Sequence, residues 1–164
     1  MIGVMLLFVG CLLLINGLGA LDKVEAKSMA ILNFMVGGLG LVASLLQLIR
    51  ADSPADFFAV ASLLLFTFTY LYVAICIWLD LDMRGFGWFC FFVAFTTIPY
   101  SLVSFQNNDP RFGIFWIIWG AMWFMFYLVN VRNTDFGKFL PYTVISVGVF
   151  TCWIPGLLIL TEHW

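Results

Sequence analysis

Six stretches of this chain contain no Asp, Glu, Lys, Arg or His: residues 1–21, 28–49, 57–79, 85–108, 112–131 and 139–161. Each is 20 to 24 residues long. A helix needs about 20 predominantly apolar residues to cross a hydrocarbon core about 30 Å thick. The 7 basic and 9 acidic residues fall into clusters between those stretches. The pattern therefore predicts an all-α membrane protein, with six transmembrane helices arranged as three hairpins in one membrane domain over residues 1–164.

Composition then excludes whole classes. With 64% hydrophobic and 10% charged residues, the chain is too apolar for a soluble domain, which carries roughly 25% charge. A net charge of −2 without a basic patch speaks against nucleic-acid binding. The stretches are twice the length of the roughly 10-residue alternating segments of an outer-membrane barrel. Cys11, Cys76, Cys90 and Cys152 all lie within apolar stretches at spacings that match no zinc or haem motif. They are expected to be buried and inert. The first stretch has no positive leader and exceeds the 7–15-residue core of a signal peptide, so it is read as a span.

Connector charge sets the orientation. Lys23, Lys27, Arg84, Arg132 and Lys138 lie in the odd connectors, against Arg50 and Arg111 in the even ones. The positive-inside rule then places the odd connectors in the cytoplasm and both termini outside. Phe8–Leu21 and Phe66–Leu79 each close on Leu-Asp, which suggests an internal repeat. Gly3, Gly10 and Gly17 form one small-residue stripe, and Gly37, Gly38, Gly40 and Ser44 a second. Such stripes let membrane helices approach closely. Pro99 and Pro155 are expected to kink their helices and to free the carbonyls of Phe95 and Thr151.

The spans offer little reactive chemistry. Ion-coupled carriers place ionisable groups at mid-membrane, and enzymes need a nucleophile with a base, or a metal site. The one histidine, His163, is next to the last residue. Catalytic residues, metal ligands and cofactors are therefore not expected. Aromatic side chains make up 19% of the residues instead. Trp116, Trp119 and Trp123 follow i, i+3, i+7 spacing and share one face of the fifth helix, extended by Phe112. Phe66 and Tyr70 pair at i, i+4 on the third helix. Leu6, Val9, Leu13 and Asn16 form one face of the first. Such stripes commonly serve packing or an interfacial belt. Facing one another, they would instead line a narrow slot for a small planar neutral solute, with indole N–H, tyrosine hydroxyl and free carbonyls as partners.

The sequence resembles the AmiS/UreI family of bacterial urea and amide channels. The resemblance is carried by "LLFVGCLLLINGLGALDKVEAKSMAILNFMVGG" within residues 1–38, "FTFTYLYVA" (66–74), "GWFCFFVA" (87–94), "WIIWGAMWF" (116–124) and "FTCWIPGLL" (150–158). It implies a six-helix protomer with its own pore, assembled as a homohexamer in the bacterial inner membrane. By motif, the pore constrictions fall on Leu6, Val9, Leu13, Asn16, Phe66, Tyr70, Trp116, Trp119, Met122 and Trp123. The implied function is passive passage of urea, and of short amides and water, to a cytoplasmic urease. The alternatives are an amide channel serving an amidase and, from another class, a membrane anchor that docks a cytoplasmic enzyme.

"FTTIP" (95–99), "FGKFLP" (136–141) and the ending "EHW" resemble the urea branch of the family. Acid-gated members of that branch carry a glutamate before the glycine that matches Gly148, and histidines in longer outer connectors. Here the position is Val147, and both outer connectors lack histidine, the side chain that titrates near neutral pH. The expectation is a channel open near neutral pH, or gated only weakly through Asp52, Asp56, Asp109, Glu162 and His163.

Overall fold

Each apolar stretch becomes one membrane-length helix that stops within a few residues of the charges flanking it. The computed structural model describes all 164 residues, and its regular structure is helical. The spans are α1 (Ile2–Gly19), α2 (Ala26–Arg50), α3 (Pro54–Trp78), α4 (Arg84–Gln106) and α5 (Pro110–Arg132). The sixth span, Phe139–Leu160, is composite: α6 (Phe139–Val147), a π-helical segment (Gly148–Trp153) and α7 (Ile154–Leu160).

Connector chemistry explains the boundaries. Ser53 caps α3 by accepting from the Asp56 amide at 3.2 Å, and Asp56 accepts from the Ser53 amide at 3.1 Å. Pro54 follows at the first helical position, where its missing N–H costs nothing. Asp109 caps α5 by accepting from the Phe112 amide at 3.2 Å, again with a proline next. Asp22, Asp80, Asn108 and Asn133 hold left-handed backbone in the connectors, a conformation that Asp and Asn tolerate better than most side chains. Both Leu-Asp turns of the suspected repeat thus use the same left-handed aspartate.

Packing follows the small residues. The most extensive contacts join α2 to α3, α4 to α5, and α1 to the composite sixth span. The last pairing uses the glycine stripe of α1. A Cβ on Gly10 would lie 2.5 Å from the Trp153 amide nitrogen, and one on Gly17 would lie 2.9 Å from the Pro141 carbonyl. From the other side, a Cβ on Gly156 would lie 2.6 Å from the Leu7 amide nitrogen. Gly37 and Gly40 of the second stripe meet Leu71 and Thr67 of α3, whereas Gly38 faces open space.

Only 43 of 164 residues are buried, and exposed side chains such as Ile49, Met35 and Phe150 coat the outside. That apolar exterior suits lipid rather than water. Cys76, Cys90 and Cys152 are buried as expected, but Cys11 is exposed on the outer face of α1. Its apolar neighbourhood in sequence marked it as membrane-embedded, and a lipid-facing position satisfies that as well as a core one does. Pro99 leaves α4 continuous. Pro155 follows a register change to π geometry instead of a simple kink. A π segment admits an extra residue per turn and re-aims the side chains within it.

Candidate functional site

Two cavities occupy opposite ends of the bundle. The first, about 550 Å³, is lined by the N-terminal half of α1 together with parts of α3, α4 and α5. Leu6, Val9, Phe66, Phe112, Trp116 and Trp119 face it. The second, about 290 Å³, is lined by the C-terminal half of α1 and the opposite ends of α3 and α5. Leu13, Asn16, Tyr70, Met122 and Trp123 face it. All eleven residues grouped by spacing and resemblance therefore line one cavity or the other.

The barrier between the cavities is thin. Val9 and Leu13, Phe66 and Tyr70, and Trp119 and Trp123 each straddle it at a four-residue spacing. One helical turn advances about 5.4 Å, so the two spaces lie about one turn apart, with Val9, Phe66 and Trp119 on one side and Leu13, Tyr70 and Trp123 on the other. Phe66 is the hub of that barrier. Its ring centroid lies 5.7 Å from Trp116, 5.1 Å from Trp119 and 4.9 Å from Trp123. In the first cavity, Tyr100 stacks on Trp116 at 4.7 Å and on Phe58 at 4.0 Å. The Tyr100 hydroxyl donates to the Phe58 carbonyl at 3.0 Å, which fixes that wall.

The hydrogen bonds correct one expectation. The central indoles do not offer their N–H groups to the path. Trp119 Nε1 donates to Thr151 Oγ1 at 2.8 Å, and Trp123 Nε1 donates to Thr69 Oγ1 at 3.2 Å. Each threonine donates in turn to the carbonyl four residues before it, Val147 and Leu65, both at 2.7 Å. The physical reason is the cost of leaving a polar hydrogen unpaired away from water. The rings consequently turn their carbon surfaces to the path. Tyr70 is different: it is 3% exposed, lines the second cavity, and its hydroxyl makes no hydrogen bond within the protein. Asn16 is anchored by Asn33, which donates to the Asn16 side-chain oxygen at 2.8 Å and to the Met29 carbonyl at 2.9 Å.

Thr69, Asn33, Tyr100 and Phe58 did not stand out in the sequence, and Thr151 stood out only for its carbonyl, not its hydroxyl. Asn33 carried the clearest signal, because an amide inside an apolar span requires a partner and Asn16 is a matching amide. Of the acidic groups named as pH-responsive, Asp56 and Asp109 act as helix caps, and Asp109 lies at the first cavity. Asp52, Glu162 and His163 lie at or beyond helix ends.

Six membrane-length apolar spans around an aromatic layer, with a cavity at either end, are the architecture of a multi-pass membrane transport protein. The chain belongs to the AmiS/UreI family: the family model, described as AmiS/UreI family transporter, matches residues 1–163. It is 34% identical to the acid-activated urea channel of Helicobacter pylori, with both chains covered in full. It is 40% identical to the putative transporter protein AmiS2 of Rhodococcus erythropolis, over 96% of this chain and 78% of that one. The cryoEM structure of the Helicobacter pylori urea channel in its closed state superposes with a TM-score of 0.93 at 35% identity, covering all of both chains.

Proposed function

We propose that this protein is a passive channel for urea that also admits short amides and water, formed within one protomer by residues 1–164. The observation that carries the reading is the neutral layer around Phe66, where two cavities come within about one helical turn of each other. Urea enters the first cavity and sheds part of its water. It slides edge-on between the rings, with its flat faces packed on theirs. On the far side, the Tyr70 hydroxyl and the remaining valences of the Asn16 amide restore hydrogen bonds. An ion gains no such compensation, and its desolvation costs several kcal/mol or more.

The oligomer proposed is a homohexamer, with lipid around it and urea delivered to a cytoplasmic urease. Connector charge supports both termini outside; the expected three hairpins follow chain order only, since the tightest packing joins α2 to α3, α4 to α5 and α1 to the sixth span. The short-amide reading draws on the likeness to a relative described as a putative amidate substrates transporter protein. We propose weak or absent acid gating. Alignment with the acid-activated relative runs over 194 positions against the 164 residues of this chain, so at least 30 positions face gaps here. Val147 and the histidine-free outer connectors point the same way.

Stopped-flow urea uptake by proteoliposomes tests the function. Uptake well above that of protein-free vesicles, altered by Trp123→Ala, is expected. Uptake no faster than that of protein-free vesicles, together with capture of a cytoplasmic enzyme, would instead support the docking role.

A further inference from the structure

The two central tryptophans are held by matching devices on different helices. On α3, Thr69 is 7% exposed, donates to Leu65 and accepts from Trp123. On the sixth span, Thr151 is 4% exposed, donates to Val147 and accepts from Trp119. Each hydroxyl has one hydrogen, committed to the carbonyl behind it. Its lone pairs are therefore presented to the indole, and the direction of both bonds is fixed. Thr151 lies inside the π-helical segment Gly148–Trp153. The register change there directs its hydroxyl to α5. A Cβ on Gly148 would lie 2.7 Å from the Leu13 Cβ, so the same segment also sets how closely the sixth span approaches the α1 wall.

From this the geometry points to Thr69 and Thr151 as positioning residues that lock the Trp123 and Trp119 rings and thereby set the selectivity of the layer between the cavities. The inference rests on the channel reading above. Thr151 lines neither cavity and acts through its indole; Thr69 borders the second cavity beside Trp123, with its hydroxyl taken up by the indole and the Leu65 carbonyl. Locking has two effects. It holds two large flat rings in one orientation, which keeps the aperture narrow. It also withdraws the central N–H donors, so no carbonyl-bearing solute is trapped halfway.

Thr69→Val and Thr151→Val keep the side-chain shape and delete the hydroxyl. Thr69→Ser and Thr151→Ser keep the hydroxyl and delete the methyl. Urea and acetamide uptake is measured in proteoliposomes at matched protein content. The N–H-sensitive indole band is followed by ultraviolet resonance Raman. In each valine variant the ratio of urea to acetamide flux is expected to fall about fivefold, the factor corresponding to loss of one ordinary hydrogen bond. The band of one indole should shift to the unbonded position, and both effects should revert in the serine variant. A wild-type ratio in valine variants that show the shifted band would overturn the proposal. So would serine variants that behave like valine ones, because packing would then explain the effect. If Thr151→Val fails to assemble, the Thr69 pair decides alone. Absence of urea flux from the wild-type protein would defeat the channel reading itself, an outcome distinct from either result.

Discussion

Phe66 meets Trp119 edge-on, with ring centroids 5.1 Å apart and planes at 89°. The pair joins α3 to α5 at the level where the two cavities come closest. An edge-to-face pair contributes about 0.5–1.5 kcal/mol beyond the area it buries.

Phe66→Ala removes that edge and opens the layer. Acetamide and water fluxes should rise relative to urea flux, because the aperture no longer fits a thin planar solute. Stopped-flow comparison of the three solutes checks this, and an unchanged ratio would contradict it. The protein should lose stability by up to about 3 kcal/mol, the low end for removing a phenyl ring from a packed site.

Tyr70 lines the second cavity with a hydroxyl that has no hydrogen-bond partner within the protein. Tyr70→Phe keeps the ring, so folding and assembly should persist. Urea flux should fall about fivefold, the factor for one lost hydrogen bond in transit. Water flux should change less. Equal urea flux in the two proteins would remove Tyr70 from the mechanism.

Two glycines separate packing from exposure. A Cβ on Gly10 would meet the Trp153 backbone at 2.5–2.7 Å, while a Cβ on Gly38 meets nothing within 4 Å. Backbone in a packed helix pair yields poorly, so Gly10→Ala should cost about 1–3 kcal/mol, as overpacking does. Gly38→Ala should be neutral or slightly stabilising within its helix. Thermal unfolding in detergent reads both. Equal midpoints would refute the close approach of α1 to the sixth span.

Urea flux should vary little between pH 7.5 and pH 5. Asp82, in the connector after α3, accepts a hydrogen bond from Arg84, which holds its carboxyl below the usual carboxylate range. A depressed carboxylate contributes stability above its unfolded pKa of about 3.9 and loses it only as pH falls through the lower folded value. That window lies below pH 5, so Asp82 stays ionised throughout the test. Asp82→Asn should leave the flat profile flat. A many-fold rise in wild-type flux toward pH 5 would refute weak gating.

The spans and the residues that line the two cavities were legible in the sequence, for separate reasons. Charge-free runs report a hydrocarbon environment directly, so helix limits such as Ala26–Arg50 and Pro110–Arg132 lay beside the clusters that defined them. Helical spacing grouped ten of the eleven residues that line a cavity, and Met122 came only through the family resemblance. What escaped was the far end of each polar contact. Thr69 and Thr151 come 54 and 32 residues away from their tryptophans, and no local spacing encodes such a partner. Apolar sequence also failed to separate lipid-facing Cys11 from the buried cysteines. Pro155 announced a disturbance without revealing that π geometry absorbs it.

The central claim is that solute crosses through these two cavities. Ser62 lines the first cavity, half-buried, and cysteine is close to it in shape. With the exposed Cys11 replaced by alanine, Ser62→Cys proteoliposomes are assayed for urea uptake before and after a charged methanethiosulfonate reagent. Uptake is predicted to collapse to the protein-free rate on labelling and to recover on reduction. Full labelling with urea uptake unchanged would place the path elsewhere and contradict the account.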